Sequence, residues 1–369
     1  MNNKFLALLV ISVMLISSVG TAFAAEGKTI SVIVDGNQIV FDVPPASENG
    51  RTLVPMRYIF EALGAEVNWI PEENKAVATK GDITVELVLG SDIMTRNGKE
   101  ITLDVPAKAI NGRTLVPARA IAEALDAKVN WISETYIVNI LSEGASQITE
   151  ANEADARKTL DAFCDALLDF DFQKMAEYCT NSDKLKATLP QGDYLNALIA
   201  DMVAASEDLK EATDEELEAV IAATIPLVEP VVQAFLDSID ISVADVKADE
   251  GIYTYTLDIA MPDINNLNES LSGEAFESKL EEISNSVSQR MAISSYPKPM
   301  TEEEALALYM NLIGEELKSV IEKEIAEAGK ITESETMSLV YQNGTWRVVL
   351  DSEDKAIFDY EAFIKTIIE

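Results

Sequence analysis

Histidine is absent from this 369-residue chain, and its absence restricts the chemistry that the other side chains can perform. The Ser-His-Asp and Cys-His groups of nucleophilic catalysis cannot form in their usual versions, and the commonest ligand of zinc and copper is missing. Carboxylates remain as possible acids and bases. The candidates in residues 153–369 are Asp169, Asp171, Asp258 and Asp263. Because 48 acidic residues follow position 142, accidental pairs are unavoidable, and spacing alone assigns no catalytic residue.

Motifs for metal ions and cofactors are missing as well. Asp169-Phe170-Asp171 lacks the glycine and the final bidentate acid of an EF-hand loop, so calcium binding is not supported. The 16 glycines are scattered over turns and form no phosphate-binding loop. We therefore expect no cofactor and no metal.

Two arginines stand in a repeated context. Arg51 and Arg113 each follow a glycine in the heptapeptide Asn-Gly-Arg-Thr-Leu-Val-Pro, which occurs at residues 49–55 and 111–117. A guanidinium held beside a turn can bind a carboxylate or a phosphate through two parallel hydrogen bonds. We therefore name Arg51 and Arg113 as possible surface-binding residues. The alternative is that each arginine pairs locally with an acid of the chain or caps a carbonyl.

Cys164 and Cys179 are the two cysteines, too few for a four-cysteine metal site. They lie in two adjacent helical patterns, and a helical hairpin that turns near residues 170–172 would bring them together. In a secreted protein this arrangement predicts a possible disulfide. Two separately buried thiols are the alternative.

The heptapeptide belongs to a longer internal repeat. Residues 35–70 and 97–132 align at an offset of 62 without a gap, and 22 of the 36 positions are identical. Each copy contains a glycine turn, an apolar strand ending in Asp-Val-Pro, the heptapeptide, a short helix and Val-Asn-Trp-Ile. Thr-Leu-Val favours an extended stretch, and the following proline has the φ of a first helical residue. The pattern predicts one duplicated fold unit.

Differences between the copies predict how they pack. The second helix has alanines where the first has Met56 and Phe60, so we expect different surroundings for the two units and not a symmetric pair. Trp69 and Trp131 alternate with a valine, which places both side chains on one face of a strand. Packing in the core is the expected role of both tryptophans, and stacking on a sugar ring is the alternative.

The doubled motifs Asp-Val-Pro, Asn-Gly-Arg-Thr-Leu-Val-Pro-x-Arg, Glu-Ala-Leu and Val-Asn-Trp-Ile resemble the copper amine oxidase-like N-terminal domain, a stalk domain of secreted Gram-positive proteins. The resemblance covers residues 29–141 and implies an α+β module of strands wrapped on short helices, used as a spacer or surface-binding domain. Copper amine oxidases need three histidines and an Asn-Tyr motif. Both are absent here, which excludes that oxidase activity.

Charge and hydropathy divide the chain. Residues 1–24 have the basic start, apolar core and Ala-Phe-Ala cleavage site of a signal peptide. The duplicated stalk domain is expected at 28–141, with repeats at about 29–90 and 91–141. A polar linker is expected at 142–152, and an acidic α+β domain at 153–369. From residue 143 onward the chain has 16 basic and 48 acidic residues, a charge that repels nucleic acid.

Residues 153–369 read as helices followed by strands. Helical patterns are expected at about 195–203, 215–239, 274–291 and 302–328, and strands at about 241–246, 252–259, 336–341 and 345–350. Gln342-Asn343-Gly344 is a strong hairpin turn signal between the last two strands. This order resembles the cone folds of nuclear-transport-factor-2-like domains. The resemblance implies an antiparallel sheet and a pocket.

These observations predict a secreted or cell-surface, non-enzymatic binding or scaffold protein, in which the stalk module presents an acidic C-terminal domain at the cell envelope. The expected partner is a cell-wall polymer or another envelope protein. A carboxylate-based hydrolase and a small-ligand carrier, each with a pocket in the C-terminal domain, are the alternatives. No nucleic acid partner and no membrane span after signal cleavage are expected, and the oligomeric state is left open.

Overall fold

The computed structural model describes residues 29–144, 153–169, 171–189, 200, 213–271, 274–293 and 301–350. The predicted signal peptide and most of the predicted linker lie outside these residues, as do all residues except 200 of the helix expected at 195–203. The fold is α+β, as predicted from the sequence. Throughout the part of the chain that is described, no helix is both long and apolar enough to cross a membrane.

The N-terminal module comprises residues 29–144. Its elements are β1 Ser31–Val34, β2 Asn37–Gln38, β3 Ala46–Glu48, β4 Arg51–Pro55, α1 Met56–Ala62, β5 Glu66–Ile70, β6 Lys75–Lys80, β7 Ile83–Val88, β8 Ile93–Arg96, β9 Lys99–Thr102, β10 Lys108–Ile110, β11 Arg113–Pro117, α2 Ala118–Glu123, β12 Lys128–Ile132 and β13 Ile137–Leu141. They form three sheets, with strand orders β10-β11-β4-β3, β5-β6-β7-β8-β9 and β12-β13-β1-β2.

The two repeats exchange their first hairpins. Hairpin β1-β2 opens the first repeat, yet β1 pairs with β13 at the end of the second repeat. The equivalent hairpin β8-β9 opens the second repeat, yet β8 pairs with β7 of the first. Each outer sheet therefore contains strands from both copies, and neither repeat completes its own sheet.

The two heptapeptides meet at the centre of the module. Strands β4 and β11 are antiparallel, and Val54 lies opposite Val116, its equivalent at the offset of 62. An antiparallel pair in which equivalent residues face each other has a local twofold axis. The expectation that the copies do not form a symmetric pair is therefore wrong at this sheet. Met56 and Phe60 of α1 and the alanines of α2 share one core, so the large side chains of one helix occupy space beside the small ones of the other.

The helix ends follow the sequence prediction closely. Helix α1 begins one residue after Pro55, which has φ −59° and is the last residue of its strand and the N-cap. Gly64, just after the helix, has a left-handed conformation with φ +82°, and its counterpart Asp126 has φ +61°. A non-glycine residue pays a conformational cost there. The carboxylate of Asp126 also accepts a hydrogen bond from Nη1 of Arg96 at 2.7 Å, which holds this second turn in place.

The C-terminal region comprises the described residues from 153 to 350. Its elements are α3 Glu153–Leu168, α4 Phe172–Glu177, α5 Ser182–Thr188, α6 Asp214–Leu236, β14 Asp240–Asp249, β15 Ile252–Pro262, α7 Ile264–Leu271, α8 Glu274–Ile293, α9 Glu302–Ala328, β16 Lys330–Gln342 and β17 Thr345–Val348. The strands form an antiparallel meander in the order β14-β15-β16-β17, with the predicted hairpin turn at Asn343 and Gly344. Helices and sheet enclose one apolar core, separate from that of the N-terminal module.

Candidate functional site

Arg51 and Arg113 form reciprocal ion pairs across the two repeats. Nε of Arg51 donates to Oδ2 of Asp104 at 2.5 Å, and Nε of Arg113 donates to Oδ2 of Asp42 at 2.8 Å. Both acids come from the Asp-Val-Pro motif of the opposite copy. About half of each arginine side chain is exposed, 49% and 48%. The arginines therefore have acidic partners within the chain, as in the alternative drawn from the sequence, but these partners lie 53 and 71 residues away.

The ion pair between Arg113 and Asp42 has an additional partner, Tyr58. The Arg113 guanidinium beside Asp42 holds the pKa of that carboxyl below its usual value, and a hydrogen bond from Tyr58 acts in the same direction. The ring of Tyr58 packs edge-on against Phe41, with centroids 5.5 Å apart. The position of Tyr58 is an alanine, Ala120, in the second repeat, so the Arg51 pair lacks this support. An anionic ligand would have to compete with a carboxylate at either arginine.

The two tryptophans are exposed, and the expectation of core packing is wrong for both. Trp69 is 37% and Trp131 41% exposed. Val67, two residues before Trp69, belongs to the buried core, so the predicted alternation is correct. Helix α1 above this sheet has only seven residues, and the core cluster around it includes the valine but not the tryptophan. Trp131 packs edge-on against Tyr136, with ring centroids 5.7 Å apart and an interplanar angle of 76°.

A joint connects the N-terminal module to the C-terminal region through an apolar centre. Five buried residues form one cluster across it: Ile33, Ile132, Ile137, Ile252 and Val340. The first three belong to the sheet β12-β13-β1-β2, and the last two to the meander. None of them is more than 5% exposed. The two sheets therefore bury a small dry core of their own.

Polar contacts surround this centre at the β1-β2 turn. The Gln38 side chain donates to the backbone oxygen of Leu350 at 2.8 Å and accepts from the side-chain amide of Asn181 at 2.9 Å. Thr180 also donates to Gln38. At the tip of the turn, a Cβ on Gly36 would overlap the backbone oxygen of Tyr341. Backbones from the two parts of the chain thus approach as closely as glycine allows.

Charged groups close the opposite side of the joint. Nζ of Lys247 donates to Glu134 at 2.7 Å, and the side-chain amide of Asn130 donates to Glu250 at 2.7 Å. The hydrogen bond from Lys247, together with smaller contributions from a backbone N–H and from Ser133, lowers the pKa of Glu134 to about 2. Burial, followed by the charges of Glu250 and Glu134, raises the pKa of Asp249. The joint therefore contains carboxyl groups whose pKa values are shifted in opposite directions.

The equivalent face of the first repeat is built differently. At the offset of 62, Ile33 corresponds to Thr95 and Ile137 to Lys75. Nζ of Lys75 forms an ion pair with Glu73 at 2.6 Å and lies 3.5 Å from Glu86. One copy of the duplicated face is thus apolar and covered by the C-terminal region, whereas the other is charged. The two equivalent sheets therefore differ at the positions that form the joint.

The cysteines are not joined in this structure. Cys164 and Cys179 are both buried free thiols, which is the alternative to the predicted disulfide. Burial raises the pKa of Cys164 to about 12, and burial also raises the pKa of Cys179. Sγ of Cys179 lies 3.4 Å from the backbone oxygen of Met175. Protonated, enclosed thiols of this kind are poor nucleophiles.

Three of the candidate acids have structural partners. Asp171 caps helix α4 by accepting from the backbone N–H of Lys174 at 2.9 Å, and Asp263 accepts from the backbone N–H of Asn265 at 3.0 Å. Asp258 accepts from Oγ of Ser334 at 2.6 Å. In the described ranges, no group of three or more acidic or cysteine side chains is arranged to hold a metal ion. No candidate acid is singled out as an acid or base by these contacts.

Comparison with known proteins adds one partial relative and one domain family. A Brevibacillus choshinensis protein named "Protease inhibitor" is 32% identical to this chain over 126 residues, which is 33% of this chain. The match spans 37% of that protein's length. No solved structure matches the chain, and the expected likeness of its C-terminal region to nuclear-transport-factor-2-like domains is not confirmed.

The domain family concerns the N-terminal module. The sequence profile of the copper amine oxidase N-terminal domain matches residues 33–140, from within β1 to within β13. This range includes both heptapeptides, the whole of hairpin β8-β9 and most of hairpin β1-β2. The family describes the N-terminal domain of those enzymes and not their catalytic domain. Residues 33–140 of this chain are thus matched to the copper amine oxidase N-terminal domain, as the doubled motifs predicted.

Proposed function

We propose that this protein is a secreted, non-enzymatic binding or scaffold protein of the cell envelope, in which the N-terminal module holds the acidic C-terminal region in a fixed orientation. The joint is the observation that carries the proposal. A flexible tether would need neither a dry apolar cluster nor a backbone contact as close as that of Gly36 with Tyr341. Presentation of a domain at a fixed angle does need them.

A cell-wall polymer or another envelope protein is the partner that this function calls for. The acidic surface disfavours polyanions, because like charges repel over about 8 Å at physiological salt. The N-terminal module is much less acidic, with 11 basic and 16 acidic residues between positions 26 and 140. We therefore assign contact with the wall to the module and presentation to the C-terminal region.

Co-sedimentation of the full chain with isolated Gram-positive cell walls tests this proposal. The protein should pellet with the walls at moderate salt and stay in the supernatant without them. A variant with Arg51→Ala and Arg113→Ala tests whether the exchanged ion pairs also bind the wall. If the intact chain never pellets with walls or with any envelope fraction, the proposal is wrong.

Inhibition of a protease is a second candidate function, and the partial relative named "Protease inhibitor" is what suggests it. One structural feature favours it. Arg51 and Arg113 follow turns whose Asn-Gly residues all have positive φ, and about half of each arginine side chain is exposed beside its aspartate partner. Trypsin-like proteases recognise such a side chain through an acidic pocket.

Incubation of the full chain with trypsin separates this candidate from the first. An inhibitor would reduce trypsin activity stoichiometrically, and Arg51→Ala with Arg113→Ala would abolish the effect, whereas Arg57→Ala would not. Cleavage of the chain without any loss of trypsin activity would make it an ordinary substrate and remove this candidate.

A further inference from the structure

The duplicated Val-Asn-Trp-Ile segments place two tryptophans in equivalent, half-exposed positions. Trp69 lies in β5 and Trp131 in β12, and each of these strands is at the edge of its sheet. Tryptophan is enriched at binding interfaces, so an exposed pair at equivalent positions of two repeats is a candidate for contact with a partner. The third tryptophan, Trp346, is 4% exposed and belongs to the core of the C-terminal region. The exposed tryptophans thus both lie in the N-terminal module.

The Trp131 ring is held firmly although it is exposed. Its edge-on contact with Tyr136 fixes one side, and Tyr136 is itself held in a left-handed turn with φ +54°. On the paired strand, Trp131 lies opposite Val138, which is buried in the module core. Rigid aromatic rings give contact area at a low cost in side-chain entropy. The exposed part of the Trp131 ring is therefore held in one position for a ligand.

Charge around the two rings limits the class of ligand. Glu66, Glu72 and Glu73 lie within four residues of Trp69, and Glu134 and Glu250 lie near the strand of Trp131. The basic side chains close by are already paired, Lys75 with Glu73 and Lys247 with Glu134. A polyanion such as a polyol phosphate would be repelled. An uncharged pyranose ring has an apolar face of C–H groups that suits an indole, and a ring of hydroxyl groups that stays in water.

We propose that Trp69 and Trp131 are stacking sites for uncharged pyranose units of a polysaccharide, one in each of two sheets of the module. This inference deepens the proposed wall-binding function and rests on it. It also accounts for the retention of both tryptophans after the duplication, in spite of their exposure.

Titration of the full chain with a β-1,4-linked N-acetylglucosamine hexamer, followed by calorimetry and by tryptophan fluorescence, tests the inference. Binding should shift the emission, because two of the three tryptophans are exposed. Trp131→Ala should weaken binding about tenfold, equivalent to a loss of about 1.4 kcal/mol, and Trp131→Phe should restore part of it. Ile331→Ala is the matched control, since Ile331 is 37% exposed but lies in the C-terminal region.

Several results would overturn the inference. One is binding of the hexamer that is unchanged when both tryptophans are replaced by alanine in a variant whose melting temperature matches wild type. Another is a preference for polyglycerol phosphate over the hexamer. Wall pelleting that survives the double replacement would remove the stacking sites and leave the proposed function standing. Absence of wall pelleting together with hexamer binding that depends on the tryptophans would support the sites and count against the wall as the location.

Discussion

Gly36 of the N-terminal module lies against the backbone carbonyl of Tyr341 in the C-terminal region, so closely that a methyl group does not fit between them. The contact joins the turn of the first hairpin to strand β16. Gly98, the equivalent glycine of the second hairpin, has nearly the same φ, +76° against +79°, and nothing within 4 Å of its missing side chain. Gly98 is therefore an internal control for Gly36: it has the same backbone conformation but no contact with the C-terminal region.

Alanine replacement of each glycine should distinguish the steric contribution of the joint from the conformational cost of the turn. Gly98→Ala should cost roughly 1–2 kcal/mol in the free energy of unfolding, the price of a left-handed alanine. Gly36→Ala has the same backbone cost and adds a steric clash, so we expect an extra loss of roughly 1–3 kcal/mol. Urea unfolding of both variants measures the difference. Equal losses in the two variants would mean that the turn does not press against Tyr341.

The ion pair between Glu134 and Lys247 predicts how the joint depends on pH. The pKa of Glu134 is about 2 in the folded protein against an ordinary 4.5, so the pair contributes stability above pH 4.5 that is lost as the pH falls toward 2. Asp249 has the opposite sign: its raised pKa means that protonation on acidification favours the folded state. A variant is needed to isolate the Glu134 contribution.

Glu134→Gln provides that variant. The difference in melting temperature between wild type and Glu134→Gln should be largest above pH 4.5 and should shrink toward zero as the pH approaches 2. Glu72→Gln is the control, because Glu72 is the equivalent residue of the first repeat and is exposed. A difference that grows on acidification would contradict the assigned pair.

Local features of this fold could be predicted from the sequence, whereas the partners of its exposed residues could not. The left-handed turns at Gly64 and Asp126 follow from local backbone preferences, and the helix after each heptapeptide follows from its periodicity. The acids that bind Arg51 and Arg113 come from the opposite repeat, because the strands cross between copies. No local pattern encodes that exchange.

The surroundings of the tryptophans and of the joint also could not be predicted from the sequence. Alternation correctly placed Trp69 on the face of Val67, but exposure depends on how far a seven-residue helix reaches over the sheet. Ile33 and Ile137 look like ordinary core residues in the sequence, and only the fold shows that they face a second sheet. One signal was available: their counterparts Thr95 and Lys75 are polar, so the two repeats could not have identical surroundings.

Helix α9 crosses α6 at a glycine, and this crossing gives a third prediction. A Cβ on Gly314 would overlap the backbone oxygen of Pro226. Pro230, four residues later, has no N–H to bond that oxygen, so the oxygen is left facing the neighbouring helix. Helix propensity alone predicts that Gly314→Ala stabilises the protein by about 1 kcal/mol. Because of the overlap we expect destabilisation by roughly 1–3 kcal/mol instead, measured by urea unfolding.

The cysteines provide the last prediction, since their burial has a chemical consequence. Cys164 is 8% and Cys179 1% exposed, and a thiol whose pKa is about 12 carries almost no thiolate at neutral pH. Ellman's reagent should therefore not react with the native protein within minutes. In guanidinium chloride without reductant, both thiols should titrate, because unfolding removes the burial that raises their pKa values.

Single replacements complete this test. Cys164→Ala and Cys179→Ala should each leave one thiol that reacts after unfolding, and each should destabilise the fold only by the loss of a small buried side chain. A protein prepared from an oxidising compartment that shows no thiol until reductant is added would instead carry the disulfide. In that case Cys164 of α3 would be bonded to Cys179, which follows α4, and reduction would lower the melting temperature by more than either alanine replacement of a free thiol could.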